Sequence, residues 1–120
     1  INRIWCAQDC GLVINPSQVE NQIMGNIVWG CSMALKERIT ITAGEVEESN
    51  FDTYEILRHD ETPEMTVALI DAPEQPPVAV GESAFGPVAP AIANAVFAAT
   101  GRRIRNLPIS YDSLFSNGDA

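Results

Sequence analysis

The fold is decided by residues 15–37, which read NPSQVENQIMGNIVWGCSMALKE. Asn15 is a preferred helix-capping residue and Pro16 suits the first helical position, while Ser17–Glu20 offers an alternative capping box one or two residues later. Beyond this start, apolar residues recur every four positions along one face: Val19, Ile23, Ile27, Cys31 and Leu35, with Ala34 beside them. The pattern predicts a helix over residues 16–37 that buries one face in a core.

Two glycines, Gly25 and Gly30, fall inside this predicted helix. A glycine in a helix interior costs about 1 kcal/mol relative to alanine, so each needs a physical reason. One reason is close packing against a neighbouring segment. The other is that a cofactor or a facing segment approaches where a side chain would clash. Both explanations stay open at the level of the sequence.

Short strands are predicted around this helix by alternating and β-branched apolar residues. The first, Ile4–Ala7, ends at the turn residues Asp9–Gly11. After the helix, a small hairpin, a long loop and a strand are expected, at residues 39–46, 47–64 and 65–70 respectively. The hairpin pairs residues 39–42 with residues 45–46.

The second half of the chain begins with the proline-rich stretch 73–77, which cannot be a central strand because proline lacks the donor that a strand ladder needs. A second helix is predicted from Val88 or Pro90 to Thr100, where Gly101 ends it. Its apolar stripe is predicted to comprise Ile92, Ala95, Val96 and Ala99. Residues 104–109 are predicted as a last strand, and residues 111–120 as a polar, poorly ordered tail. The fold class is therefore α+β, with two main helices packed on a small mixed sheet.

The composition limits the classes of partner. The chain has 120 residues, 46% of them hydrophobic, and a net charge of -9. This length suits one domain, and the negative charge argues against nucleic acid as a partner. No apolar run approaches the roughly 20 residues that cross a bilayer, so no transmembrane segment is predicted in this chain. The composition does not indicate a compartment.

The metal-ligating residues are few. Cys6, Cys10 and Cys31 lack paired Cys-x-x-Cys spacing, and His59 is the single histidine. Four residues of extended chain span roughly 13 Å, too far for a disulfide between Cys6 and Cys10 unless the chain bends. We therefore expect buried or half-buried free thiols and no metal site.

Two places carry polar groups that could serve chemistry. Gly81-Glu82 puts a carboxylate at a strand-to-helix junction, where functional sites are often built, although most such glutamates are simply solvated. Gln22 and Asn26 lie four residues apart on the first helix, and a solvated helix face is the simplest interpretation of that pair. The sequence by itself does not choose between these interpretations.

Three blocks of sequence, taken together, carry a family resemblance. The first reads CAQDCGLVINP at 6–16 and VENQIMG at 19–25; the second reads NFDTY at 50–54 with LR at 57–58; the third has VGE at 80–82 and PVAPAIANAVFAATGRRIR at 87–105. In this order they resemble the C-terminal part of the large, molybdopterin-binding subunit of a molybdenum hydroxylase. This is the xanthine dehydrogenase and aldehyde oxidase family, and the closest types are the isoquinoline 1-oxidoreductase beta subunit and membrane-bound aldehyde dehydrogenase. The chain departs from the family pattern at Met24, Asn26, Trp29 and Ala79.

The resemblance implies a set of roles. Glu82 would be the catalytic base in the oxidative hydroxylation of an N-heteroaromatic or aldehyde substrate. Gln22 would hydrogen-bond the pterin, and Gly81 would let the backbone approach the metal. Residues 1–110 would form the C-terminal segment of the molybdopterin-binding domain. The cofactor would be molybdopterin, plain or as the cytosine dinucleotide.

The resemblance also implies partners. These are the rest of the large subunit, a small iron–sulfur subunit that carries electrons away, and a small-molecule substrate. The isolated chain is expected to bind no cofactor tightly and to be inactive. The competing hypothesis is a non-enzymatic, acidic protein–protein interaction domain that docks through its apolar helix stripe, Trp5 and Trp29.

Overall fold

A computed structural model describes residues 1–115 of the chain. It has an α+β architecture, which confirms the predicted class. In chain order its elements are β1 (Arg3–Gln8), α1 (Pro16–Leu35), β2 (Ile41–Thr42), β3 (Glu45–Val46), a 3-10 turn (His59–Glu61), β4 (Glu64–Leu69), α2 (Val88–Thr100) and a short helix α3 (Tyr111–Phe115).

Helix α1 forms as its capping residues and apolar stripe predict. The Asn15 side chain accepts a hydrogen bond from the Gln18 backbone N–H at 3.3 Å, and Pro16 is the first helical residue. Ile23, Ile27 and Cys31 are the largest fully buried side chains of the described residues. The predicted stripe is therefore the centre of the core, and the helix ends at Leu35, two residues earlier than expected.

Strands β1 and β4 pair in parallel, in a register that sets Arg3 opposite Glu64 and Gln8 opposite Leu69. Both strands alternate exposed and half-buried residues. The inner face, which includes Ile4, Cys6 and Val67, packs against the core of α1. Both predicted strands are confirmed to within one residue at each end. Their parallel pairing, between segments about half the chain apart, was not predicted.

Helix α2 packs on α1 through the close approach of Val88 to Gly30. A Cβ built on Gly30 would lie 2.6 Å from Cβ of Val88, so only glycine fits there. Close packing is thus the reason for Gly30. The residues of α2 that are buried or packed against the core are Val88, Ala89, Ile92, Ala93 and Val96. The prediction that Ala95 and Ala99 belong to the apolar stripe of α2 is wrong, because both are exposed. In an alanine-rich helix the small side chains leave the direction of the apolar face poorly defined.

The predicted hairpin forms with a turn at Ala43-Gly44, both at positive φ, and the two strands that it joins are short and exposed. The loop predicted at residues 47–64 forms over 47–58, is followed by the 3-10 turn, and gives way to β4 at Glu64. It is anchored by Leu57, whose backbone N–H donates to Ser32 Oγ at 3.0 Å. Tyr54 adds a hydrogen bond from its hydroxyl to Glu37 Oε2 at 2.7 Å.

The end of the described chain differs from expectation. Residues 104–109 form no strand; Ile104 packs against the core, and the Ile109 N–H donates to the Ala34 carbonyl of α1 at 2.7 Å. A strand needs a neighbouring edge to pair with, and α1 offers none to this segment. Tyr111–Phe115 form α3 where a poorly ordered tail was predicted, and Leu114 packs against the core. The rest of that predicted tail, 116–120, lies outside the described residues.

Candidate functional site

The predicted site residues Gln22 and Gly81 meet at the side chain of Asn26. The Asn26 Nδ2 donates to the Gln22 carbonyl oxygen at 2.6 Å and to the Gly81 carbonyl oxygen at 2.9 Å. Asn26 is only 4% exposed. One buried amide therefore attaches the backbone just before Glu82 to the middle of α1.

The same face of α1 holds the chain that follows Glu82. One turn beyond Asn26, the Trp29 ring packs on Phe85 with ring centroids 4.4 Å apart. The Gly30–Val88 contact comes next. Three successive contacts therefore run along α1 in the order of the facing chain: Asn26 with Gly81, Trp29 with Phe85, and Gly30 with Val88. We call residues 81–88, which lie along α1 in this way, the junction loop. Its path is fixed by packing against a helix that is itself anchored in the core.

The proline-rich lead-in to the junction loop is fixed at the turn after β1. Gly11, at φ +67°, lies so close to this segment that a Cβ there would clash with the Pro76 carbonyl oxygen. The Leu12 N–H donates to the Gln75 carbonyl at 3.0 Å, and the Val78 N–H donates to the Cys10 carbonyl at 3.1 Å. The lead-in thus runs alongside the Cys10–Leu12 turn before it reaches Gly81.

Glu82 itself is exposed, and its carboxylate makes no hydrogen bond or ion pair with any residue in the described part of the chain. Its carbonyl accepts from the Phe85 N–H at 3.1 Å. The next residue, Ser83, donates from its hydroxyl to Gln8 Oε1 at the end of β1, at 3.2 Å. The carboxylate is therefore presented on a backbone that is held on both sides.

The structure changes the interpretation of the two amides on α1. Gln22 is exposed, as a solvated helix face predicts, but Asn26 is buried, so that interpretation is wrong for Asn26. The sequence contained one signal for this: Asn26 lies one helical turn before Gly30, which places it on the face that packs closely. Gln8 and Phe85, which also hold the junction loop, were missed because their partners are distant in sequence.

The three cysteines are free; Cys6 is half-buried, and Cys10 and Cys31 are buried. Burial raises the pKa of the Cys6 thiol and of the Cys31 thiol. Within residues 1–115 no group of three or more His, Cys, Asp or Glu side chains is arranged to hold a metal ion. None of the helices in that part of the chain is long and apolar enough to cross a membrane.

Comparison with known proteins gives the family. The sequence model of the molybdopterin cofactor-binding domain matches residues 1–63. The B subunit of nicotinate dehydrogenase from Pseudomonas putida is 39% identical over 110 residues, which is 92% of this chain and 9% of that protein. The beta subunit of isoquinoline 1-oxidoreductase from Brevundimonas diminuta is 38% identical over 109 residues, 91% of this chain and 14% of that protein.

Solved structures agree with the sequence relatives. The crystal structure of quinoline 2-oxidoreductase from Pseudomonas putida 86 superposes with a TM-score of 0.85 at 26% identity, over 95% of this chain and 16% of that chain. The chain thus spans about a sixth or less of the length of these proteins. It belongs to the molybdopterin cofactor-binding domain family and is homologous to a segment of the large subunit of a molybdenum hydroxylase.

Proposed function

We propose that this chain forms part of the molybdopterin site of a molybdenum hydroxylase large subunit and supplies Glu82 as the catalytic base for hydroxylation of an N-heteroaromatic or aldehyde substrate. The observation that supports this most is the Asn26 amide, which brings Gly81, and with it Glu82, to the turn of α1 that carries Gln22. When bound, the molybdenum cofactor would supply the redox centre that takes two electrons from the substrate.

The residues at the junction loop fit such a cofactor. The Gln22 side chain is exposed and free to donate and accept hydrogen bonds. A Cβ built on Gly25 or Gly81 would meet no described atom within 4 Å, so a bulky group can approach the backbone at both glycines. The cofactor form, plain or cytosine dinucleotide, belongs to the same proposal.

The role proposed for Glu82 is proton acceptance at its carboxylate. A general base must reach the proton that it removes, and it works best when its pKa is matched to the working pH. A base also needs a site from which bulk water is excluded. Because Glu82 is exposed in this chain, the walls that would enclose it have to come from cofactor, substrate and other segments of the large subunit.

The exposed apolar residues support the proposed partners. Trp5 is 69% exposed on the outer face of the β1–β4 ladder, and parallel sheets are normally covered on both faces. Further large exposed residues lie elsewhere in the described chain, at Ile14, Ile41 and Phe51. We infer that the rest of the large subunit covers these surfaces and that an iron–sulfur subunit removes the electrons. The isolated chain should be inactive, and its oxidation of either substrate class would contradict this.

The main docking surface required by the competing hypothesis, a non-enzymatic interaction domain, is buried within the chain. That hypothesis needs the apolar stripe of α1 for docking, but Ile23 and Ile27 are 0% and 1% exposed within the chain's own core. Trp29 is partly covered by Phe85. Of the docking surfaces that it named, Trp5 and Trp29 remain, at 69% and 46% exposed.

The test is Glu82→Gln in the complete large subunit assembled with its iron–sulfur partner. Glutamine keeps the size of the side chain and removes the base, so turnover of N-heteroaromatic or aldehyde substrates should fall by about 10²- to 10⁴-fold. Molybdenum content, measured by metal analysis, should not change. Glu55→Gln, which alters an exposed carboxylate of the 47–58 loop, is the matched control. Normal turnover in Glu82→Gln would remove Glu82 as the base, and absence of molybdenum from the native enzyme would remove the cofactor.

A further inference from the structure

The Asn26 side chain has an orientation that its contacts determine. Its two hydrogen bonds run to carbonyl oxygens, those of Gln22 and Gly81, and carbonyl oxygens only accept. The atom between them must therefore be the amide nitrogen. Both of its protons are used, one within α1 and one across to the junction loop. The oxygen Oδ1 is the atom left without a partner among the described residues.

The junction loop needs an attachment at this point. Gly81 has no side chain to pack, and a Cβ built there would touch no described atom. Glycine also has the widest freedom of backbone rotation, and Gly81 and Glu82 are both exposed. In the described chain, the Asn26–Gly81 hydrogen bond is what holds the peptide that joins Gly81 to Glu82. The Ser83–Gln8 hydrogen bond holds the other side of Glu82.

Core packing does not account for the choice of asparagine. A buried polar atom without a partner is unfavourable, and an apolar side chain of the same size would avoid it. Ile23, Ile27 and Gly30 show that apolar and small residues occupy the neighbouring buried positions of α1. What the amide provides, and leucine could not, is the donor to the Gly81 carbonyl.

We propose that Asn26 is a positioning residue for Glu82: its amide fixes the Gly81 carbonyl on α1 and so sets where the Glu82 carboxylate points. This inference rests on the proposed function of Glu82 as base. Asn26 acts through the backbone and does not itself touch the proton that is moved. A base that wanders by about 1 Å can lose about 10²-fold in rate, so the attachment has a direct effect on turnover.

The first test is Asn26→Leu in the complete enzyme, compared with Asn94→Leu, the same change at an exposed position of α2. Hydrogen–deuterium exchange of the peptide covering residues 79–86 reports the junction loop independently of turnover, and its uptake should rise in Asn26→Leu alone. We expect kcat to fall by about 10- to 100-fold with KM for the substrate nearly unchanged. Molybdenum content and the midpoint of thermal unfolding should match those of the native enzyme.

A second variant, Asn26→Asp, covers the case in which the leucine variant does not fold. The ionised carboxylate has no proton to donate and faces two carbonyl oxygens, so kcat should fall at neutral pH. A protonated aspartic acid regains one donor, so the ratio of variant to native kcat should rise as pH is lowered. A variant-to-native ratio that does not change with pH would contradict the proposal.

The outcomes separate this inference from the function of Glu82. If Glu82→Gln is inactive but Asn26→Leu keeps native kcat and native exchange, Asn26 is not a positioning residue while Glu82 remains the base. If Glu82→Gln is active, the base assignment fails by itself. If Asn26→Leu loses molybdenum, or loses thermal stability in proportion to kcat, Asn26 has a structural or cofactor-holding role and the proposal is overturned.

Discussion

Two regions of this chain form structure in different ways. One is the contact between α1 and the junction loop, and the other is the β2–β3 hairpin. Along α1, Gly30 is buried so tightly against Val88 that no Cβ could be added. In the hairpin, every residue of both strands is exposed. Its turn is set locally, by positive φ at Ala43 and Gly44.

This difference distinguishes regions that are stabilised by contacts within the chain from surfaces that need a further segment or subunit to cover them. Apolar residues of the core are stabilised by burial in the chain itself, whereas Ile41, 69% exposed in the hairpin, gains little from the contacts present here. The hairpin therefore depends on local turn geometry and on whatever covers it. Three substitution tests examine this comparison, in order of decreasing effect.

The largest effect is expected for Ile27→Ala. Ile27 is fully buried, and truncation of a buried isoleucine to alanine costs about 2–5 kcal/mol through lost burial and the cavity left behind. Ile41→Ala makes the same change at an exposed position and should stay within about 0.5 kcal/mol. Urea unfolding followed by circular dichroism measures both. Equal losses for the two variants would show that the hairpin is part of the cooperative core.

Gly30→Ala and Gly25→Ala should change the free energy of unfolding in opposite directions. At Gly30 the new Cβ would lie 2.6 Å from Val88 Cβ, and overpacking of this kind costs about 1–3 kcal/mol, more than the helix propensity gained. At Gly25 nothing lies within 4 Å, so alanine should stabilise the chain by up to about 1 kcal/mol.

The midpoint of thermal unfolding gives the sign of both glycine substitutions. A stabilised Gly30→Ala would mean that α2 moves away easily and that the close contact does not fix the junction loop. In the complete enzyme, Gly25→Ala has a second use. If the open space at Gly25 admits the cofactor, this variant should lower molybdenum content although it stabilises the chain.

The smallest effect concerns the pH dependence of the hairpin. Glu48 Oε2 accepts a hydrogen bond from the Thr40 N–H at 2.7 Å, and this bond lowers the pKa of Glu48. A lowered pKa stabilises the folded form above the ordinary glutamate pKa of about 4.3, and that contribution is lost as pH falls through the folded-state value. Exchange of the Thr40 amide, followed by NMR, should therefore speed up relative to its intrinsic rate as pH falls through that range.

Two variants control the pH test. Glu48→Gln should show the faster relative exchange of the Thr40 amide at all pH values, since the charged acceptor is gone. Glu45→Gln, an exposed change in the same hairpin, should keep the native pH dependence. Native pH dependence in Glu48→Gln would show that another group controls the base of the hairpin.

Several elements were predictable because their signals are local. The Asn15 cap, the four-residue stripe of α1, the Ala43-Gly44 turn and the Gly101 stop each act within a few residues. Where the local signal was weak, prediction failed. The face of α2 was misassigned at Ala95 and Ala99, and residues 104–109 have strand-forming residues but no strand edge beside them.

The candidate site was predictable only in part. The positions of Gly81, Glu82 and Gln22 single them out as candidates, but their roles come from the family resemblance and remain proposals. The helical spacing of Gln22 and Asn26 favours a solvated face, and it gives no sign that Asn26 is buried, because its partner Gly81 lies 55 positions away in the chain. Contacts over such separations leave no periodic pattern in the sequence.

The sequence by itself determined the positions of α1 and α2, the class of the fold and the family of the chain, because caps, apolar periodicity and motif order depend on residues close together in the chain. The tertiary structure alone decided that β1 pairs with β4 in parallel, that Gly30 receives Val88 and that Asn26 holds Gly81. These contacts join segments more than fifty residues apart. They form because burial of the α1 stripe gathers β1, β4 and α2 around one hydrophobic core.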